Sequence, residues 1–499
     1  MAPLMEAAKR PHLRAVEGPG AEPNSGSEGD YSEIAASFDA YAPSEDRWLG
    51  RTGGYHDLIT SIAGSLVPEG ASVLEIGCGR GDLLASLRPS RGVGVDVSEA
   101  EISAGRARHP ELELHHASGE QLQLGETFDY VVLTDLIPYV DDLLKLFVAI
   151  RRHSHARTRV VVSFHSQLWR PLLTAMAKLG LRPNRPVRNW IAPRDLVDLF
   201  DLAGFEVVSQ RKEILMPLNL GPLSRILNGW IARLPGVRSL ALTAWTVARP
   251  LPTQREEMKA SVIVPCRNES GTVRDLVERI PEVGAGTEIV FVEGGSQDDT
   301  RERIEAEIER RSDRDIKLVL QQGKGKWNAV QEGFDASAGE LLVILDGDMT
   351  VDPEEIARVY EAIVSGHGEF VNGNRLVYGM EPGAMRFLNM VGNKAFAALL
   401  SRVLGQYVKD TLCGTKAILR SDWELIRRRR TELGAEDPYG DFELLLGSAL
   451  LGLKITNLPV RYRARRYGDI EIERFSGAAM LAKLVAAGFR RIWVRPVSR

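Results

Sequence analysis

Cysteine is scarce. Cys78, Cys266 and Cys413 are the three in 499 residues, far apart and without metal-ligand spacing, so reduced thiols in a cytosolic setting are expected. Long apolar runs are missing as well. No window holds about eighteen uncharged apolar residues, which excludes an obvious transmembrane helix. The opening MAPLMEAAKRPHLRAVEGPG lacks the apolar core of a secretory signal. Charge of one sign is in small excess: the formal net charge is −4. That argues against bulk nucleic-acid binding and leaves membrane contact to local basic faces. What is present is ordinary for a globular protein, with 44% hydrophobic and 26% charged residues, and the length suggests two or three domains.

Residues 1–30 are rich in Pro, Gly, Ser and Glu without periodicity and are expected to be disordered. A folded segment over 31–250 follows. The polar, twice proline-broken VARPLPTQREEMKA, Val247–Ala260, predicts a linker centred on 251–259. A second folded segment covers 260–474, and 475–499 forms a basic amphipathic tail helix. On each side of the linker, strands alternate with amphipathic helices, the pattern of two α/β domains.

In the first domain, ASVLEI (Ala71–Ile76) reads as a buried strand, and Gly77-Cys78-Gly79-Arg80-Gly81-Asp82 as a turn into a helix. Alternate glycines let the backbone approach a ligand, and a helix N-terminus offers free N–H groups. Asp82 stands where a nicotinamide fingerprint needs its third glycine. A second strand, Arg91–Val97, carries Asp96 near its end, the place for a carboxylate that accepts both ribose hydroxyls. Phe128–Thr134 leads to Asp135, and Thr158–Phe164 supplies a further strand. His115-His116 is discounted as a metal pair, because neighbours on a strand point to opposite faces.

E-I-G-C-G-R-G, then G-V-D, then F-D-Y-V-V-L-T-D together resemble the class I S-adenosylmethionine-dependent methyltransferases over about Tyr31 to Pro250. The resemblance implies a Rossmann-like sheet. It sets Glu75, Gly77, Gly79 and Gly81 on the methionine and ribose side of the cofactor and Asp96 on the ribose hydroxyls. It brings Ser118-Gly119-Glu120 near adenine, with Asp135 completing the cofactor set. Many relatives carry Asp where Ser118 stands. Tyr139, His165 and Trp169 are candidate pocket residues at strand ends, and the sequence names no methyl acceptor or base.

The second domain opens on SVIVP (Ser261–Pro265) and Cys266-Arg267-Asn268-Glu269. EIVFV (Glu288–Val292) is closed by Glu293-Gly294-Gly295-Ser296. IKLVL (Ile316–Leu320) leads to QQGKGKWNAVQEGF, where Lys324 and Lys326 alternate with glycine at a helix start, a composition suited to phosphate. In Leu341–Thr350, LLVILDGDMT, an apolar run reads as a strand buried on both faces. It delivers Asp346 and Asp348 where open α/β sheets bind ligands. Two carboxylates there suit a hard ion, Mg²⁺ or Mn²⁺, with a diphosphate completing its shell.

V-P-x-R-N-E, V-E-G-G-S-Q-D-D-T, G-K-G-K and L-D-G-D in this order resemble glycosyltransferase family 2 over about Ala260 to Gly468. The likeness is to the branch with dolichyl-phosphate mannose synthase and polyprenyl-phosphate sugar transferases. It implies a GT-A fold and a nucleotide-sugar donor. Pro265, Arg267, Glu269 and Glu293 would border the nucleotide, Lys324 and Lys326 would serve the same donor, and Asp346 and Asp348 would bind the metal-diphosphate. The familiar V-D-D-G-S reads V-E-G-G-S here, so one acid is missing.

For the acceptor, Asp437 or Asp441 would serve as base toward a hydroxyl, or both are helix-start residues favoured by the dipole. The cations Arg375, Arg386, Lys416, Arg461, Arg463, Arg465 and Arg466 suit a phosphate acceptor, already anionic near neutral pH. Leu223–Leu234 and Phe475–Arg495 are basic amphipathic stretches that either meet lipid or pack internally. The expectation is a bifunctional enzyme joining methyl transfer to sugar transfer onto a polyprenyl phosphate, peripheral at the cytoplasmic face of the membrane. The alternatives are a glycan or small-molecule hydroxyl as sugar acceptor, or one domain acting only as a binding module.

Overall fold

A computed structural model describes residues 31–40, 45–179, 186–189, 191–217, 227–228, 231–233, 236–251, 255–378, 387–428 and 440–463. The tail 1–30, the stretch 475–499, most of Leu223–Leu234, Asp437, Arg386, Arg465 and Arg466 lie outside the described residues. Among those described, no helix is long and apolar enough to cross a membrane.

The first sheet comprises β1 (Ser72–Ile76), β2 (Arg91–Asp96), β3 (Glu113–His116), β4 (Phe128–Thr134), β5 (Ser154–His165), β6 (Phe205–Glu213) and β7 (Thr243–Pro250). Its order is β3-β2-β1-β4-β5-β7-β6. Strands β3 to β5 run parallel, and β7 is antiparallel to both β5 and β6. This is the Rossmann-like sheet that the motifs imply, with its switch point between β1 and β4.

The second sheet comprises β8 (Ala260–Cys266), β9 (Thr287–Glu293), β10 (Asp315–Leu320), β11 (Leu341–Ile344), β12 (Phe370–Asn374), β13 (Lys416–Leu419) and β14 (Ile455–Pro459). Its order is β10-β9-β8-β11-β13-β12-β14, a mixed sheet of GT-A type. β13 alone runs against its neighbours β11 and β12. The run Leu341–Leu345 is at most 4% exposed. Leu342 and Ile344 pack with Phe334 and Phe442 on one side, while Leu341, Val343 and Leu345 join Val262 and Phe291 on the other. Both faces are covered, so the strand reads as a continuous apolar run.

The two domains meet through buried charge. Arg159 Nη2 lies 2.7 Å from Glu369 Oε2, and Arg249 Nη1 lies 3.2 Å from the same oxygen. Arg159 also donates to Gly452 O at 2.7 Å, and Arg249 to Gly366 O at 2.8 Å. Arg157 pairs with Asp422, Arg211 donates to Leu404 O, and Lys454 reaches Glu206. Burial opposes ionisation of Glu369, but its two arginines outweigh it and hold the carboxyl down at about 2. Charges so buried are tolerated only because each is paired and hydrogen-bonded. On the second sheet all these contacts fall at the end remote from Ile344, since Phe370 and Leu419 lie level with the start of β11. The segment expected as a linker is partly docked: Arg255 N donates to Val364 O at 2.9 Å, and Met258 is buried.

Candidate functional site

At the end of β1 the chain turns through Gly77, Gly79 and Gly81, all at positive φ (76°, 51° and 80°). That is left-handed backbone, open to glycine without strain. Gly77 and Gly79 line a cavity of about 790 Å³, whereas Gly81 packs toward Leu112 and Leu114. A Cβ on Gly79 would meet nothing within 4 Å, so its backbone faces open space. Asp96, at the end of β2, accepts from Gly79 N at 2.8 Å and from Ser98 N at 2.9 Å. Glu75 is 2% exposed, and its Oε2 is buried without a hydrogen-bond partner. Burial pushes its carboxyl well above the ordinary range, which a cationic ligand group beside it would reverse. Ser118 Oγ accepts from Glu120 N at 3.3 Å, and Glu120 Oε1 accepts from Asp142 N at 2.7 Å. A Cβ on Gly119 would come 2.5 Å from Ile76 Cγ2, so this loop lies directly on β1. Asp135 lines the same cavity, with Tyr55 Oη donating to its Oδ2 at 2.7 Å.

These residues fit S-adenosylmethionine. Asp96 would hold ribose hydroxyls, the Gly77–Gly79 turn would pass close under the ligand, and Glu75 would face its cationic portion. The helix Ser32–Asp39 is a functional element that sequence reasoning passed over. Its Ile34 and Phe38 line the cavity, with Phe38 edge-on to Tyr139 at 5.2 Å between ring centres. Asp39 Oδ1 accepts from Ser98 Oγ at 2.5 Å and from Ala100 N at 3.2 Å, which fixes the helix beside Asp96. The four-residue spacing of Ile34 and Phe38 was the available signal. His115 and His116 bind separate partners, Glu113 and Val97 O.

In the second domain Pro265, Glu293 and Asp346 lie at the carboxyl ends of β8, β9 and β11, which are adjacent parallel strands. Glu269 lies over the D-G-D turn: a Cβ on Gly347 would come 2.1 Å from its Oε2. Met349 in that turn has φ 55° and is buried, a strained conformation of the kind concentrated at functional sites. Asp348 Oδ1 accepts from Thr350 N at 3.0 Å and Thr350 Oγ1 at 2.8 Å. Lys326 Nζ binds Asp346 Oδ1. Burial resists charge on Asp346, yet Lys326, with Lys416 and Arg375 behind it, holds the carboxyl below its ordinary value. Gly414 closes the same corner, because a Cβ there would sit 2.1 Å from Asp346 Oδ2. Lys324 and Arg267 are exposed at the rim.

Asp441 begins the helix Asp441–Leu450 and lies 2.7 Å from Lys416 Nζ. The preceding Gly440 packs on the Trp327 ring, and Trp327 Nε1 donates to Glu443 at 2.8 Å, so this helix is locked to the one bearing Lys326. Among the described residues the basic row is largely charge-balanced within the protein. Arg375 forks onto fully buried Asp410 at 2.8 and 2.9 Å and lies over the Tyr462 ring. Arg463 binds Asp352 at 2.8 Å, which Arg279 also engages. Arg461 is exposed, 5.9 Å from the centre of the Tyr378 ring. Asp352, Asp410 and Asn393, which bonds Asp410 at 2.7 Å, are structural partners that sequence reasoning missed.

Among the described residues no group of three or more His, Cys, Asp or Glu side chains could cage a metal. Asp346 and Asp348 alone fit Mg²⁺ or Mn²⁺ in the mode where one or two carboxylates share the ion with substrate phosphates.

Fold and sites define a two-domain transferase. The methyltransferase domain family matches residues 48–210, and glycosyl transferase family 2 matches residues 261–426. The chain joins an N-terminal methyltransferase domain to a family 2 glycosyltransferase domain. Dolichyl-phosphate hexose transferase of Haloferax volcanii is 29% identical over 230 residues, 45% of this chain and 91% of that protein. Glycosyltransferase AglJ of the same organism is 30% identical over 209 residues, 42% of this chain and 64% of its own length. Undecaprenyl-phosphate 4-deoxy-4-formamido-L-arabinose transferase of Pseudomonas aeruginosa is 34% identical over 111 residues. That match covers 21% of this chain and 33% of that protein. The chain thus spans less than two thirds of AglJ and a third of the arabinose transferase. Among solved structures, glucosyl-3-phosphoglycerate synthase of Mycobacterium tuberculosis with Mn²⁺ and UDP is 22% identical, covering 48% of this chain and 81% of that one at a TM-score of 0.35. A possible histamine N-methyltransferase of Thermotoga maritima is 20% identical, covering 43% and 99% at a TM-score of 0.35.

Proposed function

We propose that the second domain transfers a sugar, with inversion, from a metal-bound nucleotide-sugar to a polyprenyl phosphate, and that the first is an S-adenosylmethionine-dependent methyltransferase. The observation that carries the sugar-transfer reading is the D-G-D corner. Asp346 and Asp348 close the central strand at the switch point, and Asp346 already attracts a cationic side chain, Lys326. A divalent ion bound there with the donor would stabilise the departing nucleoside diphosphate. Lys326 is placed to follow the diphosphate as it gathers charge. Two features favour a phosphate acceptor: buried Lys416 puts a positive charge behind the centre, and two of the relatives above are named as dolichyl-phosphate and undecaprenyl-phosphate transferases. Nucleotide-sugars offered with polyprenyl phosphate, and products resolved by mass spectrometry, test the reading. A glycosyl phospholipid is expected; transfer only to the free alcohol would reverse it in favour of a hydroxyl acceptor.

A further inference from the structure

The cofactor residues occupy only one side of the first-domain cavity. At about 790 Å³ it lies high in the range of roughly 300–1,000 Å³ typical of small-molecule pockets, enough for two ligands side by side. Phe38, Tyr139, Trp169, Leu173, Met176 and Leu242 give the wall an apolar and aromatic stretch, while His56, Asp57 and Thr60 also line the cavity from the helix that bears Tyr55. Trp169 is fixed by donating its Nε1–H to Leu240 O at 2.7 Å.

Three of the polar side chains converge beside the apolar stretch. Asp135 follows β4 and His165 ends β5, adjacent parallel strands, and Tyr55 reaches them from the helix Glu45–Leu66. Tyr55 Oη donates to Asp135 Oδ2 at 2.7 Å and lies 3.4 Å from His165 Nε2. His165 Nδ1 lies 3.7 Å from Asp135 Oδ1. The Tyr55 and His165 rings are stacked, 5.9 Å apart and 16° from parallel. Asp135 adopts φ 53°, a strained backbone for a non-glycine residue, and its N–H is held by Ser163 O at 3.2 Å. Tyr55 has its one proton on Asp135, so its contact with Nε2 is Nε2–H donating to Tyr55 Oη, which leaves the lone pair on Nδ1 beside Asp135 Oδ1, a buried oxygen without a hydrogen-bond partner.

We infer that this chamber binds a small molecule with an apolar body and an ionisable hydroxyl, and that His165 is its general base, oriented by Asp135 and Tyr55. The inference rests on the methyltransferase reading. The acceptor O–H bond breaks and its proton passes to His165 Nδ1, where Asp135 Oδ1 faces the imidazolium. The oxygen electron pair forms the bond to the methyl carbon as the methyl–sulfur bond breaks, its electrons returning to sulfur, and the imidazolium later yields its proton to water. A neutral amine needs no such base, so the cluster selects for oxygen.

The test uses the full chain and 4-nitrophenol, whose absorbance reports its own ionisation, with S-adenosylmethionine affinity measured separately by calorimetry. In the wild type the bound phenol should ionise about one pH unit below the free phenol, because its proton has a receptor. His165→Asn and Asp135→Asn should bind the phenol but lose that shift, and Tyr55→Phe should reduce it. His165→Asn should keep cofactor affinity within about twofold, which also certifies its fold. An unchanged shift in His165→Asn, or no phenol binding by a wild-type chain that binds the cofactor, overturns the inference. Failure of the wild type to bind the cofactor overturns the methyltransferase reading itself.

Discussion

Lys416 and Asp441 form an ion pair of 2.7 Å, with Lys416 only 1% exposed, in the wall behind the D-G-D corner. The candidate base and a candidate phosphate-binding cation are therefore one unit. If the acceptor is a phosphate, Asp441 positions Lys416 and need not take a proton. Asp441→Asn should then lose less than the roughly 10²-fold or more that removal of a general base costs. Lys416→Met, which removes a charge-assisted contact of about 1.5–3 kcal/mol, should lose roughly tenfold to more than a hundredfold. Initial rates with polyprenyl phosphate and with the free alcohol, beside melting curves for each variant, decide between the roles.

Metal affinity should depend on the donor. With two carboxylates from the protein, Mn²⁺ alone should bind weakly, and nucleoside diphosphate should tighten it. Asp348→Asn should abolish most sugar transfer, because an amide oxygen is a poorer ligand for a hard ion. Full activity in excess chelator would remove the metal from the mechanism.

Cofactor binding should fail in Gly79→Val. The residue sits at φ 51°, where a β-branched side chain is strained by about 1–3 kcal/mol, roughly tenfold to a hundredfold in affinity. Asp96→Ala should do at least as much, since it also frees the Gly79 N–H. Calorimetry with S-adenosylmethionine measures both, and sugar transfer in the same samples reports on the second domain.

The domain contact should be acid-labile. Glu369 is held at about 2, below the ordinary glutamate value near 4.3. A depressed carboxyl contributes stability that is whole above its unfolded pKa and disappears as pH falls toward the folded one. The contribution, of order a few kcal/mol, should therefore decline between about pH 4.5 and 2. Glu369→Gln should destabilise at neutral pH by about 3–5 kcal/mol, because two buried guanidiniums lose their partner. Scanning calorimetry across pH follows both effects, and an unchanged profile in the variant would assign the acid response elsewhere.

The parallel strands were legible because burial on both faces writes itself as apolar runs such as Leu341–Leu345, and their ends fall at Asp96, Asp135 and Asp346. The glycine turn was legible for its spacing, although Gly81 proved to pack on Leu112. The antiparallel strands β6, β7 and β13 were not: Arg211, Arg249 and Lys416 interrupt their pattern, and each is explained only by a partner far along the chain. The same holds for Arg375 and Arg463. A row of cations looks alike in sequence whether it awaits a phosphate or already holds Asp410 and Asp352. Tyr55 and the helix Ser32–Asp39 precede every motif, and only the folded chain carries them back over the cofactor side.

Arg159, Arg249 and Glu369, placed at the end of the second sheet remote from Asp346, form a spine between the two domains. Among the described residues, this spine lies away from both candidate sites: Arg159 pairs with Tyr130 near the start of β4, and Glu369 immediately precedes β12. Fusion through such a spine keeps the two domains at equal abundance and in one location while their ligand-facing ends stay apart.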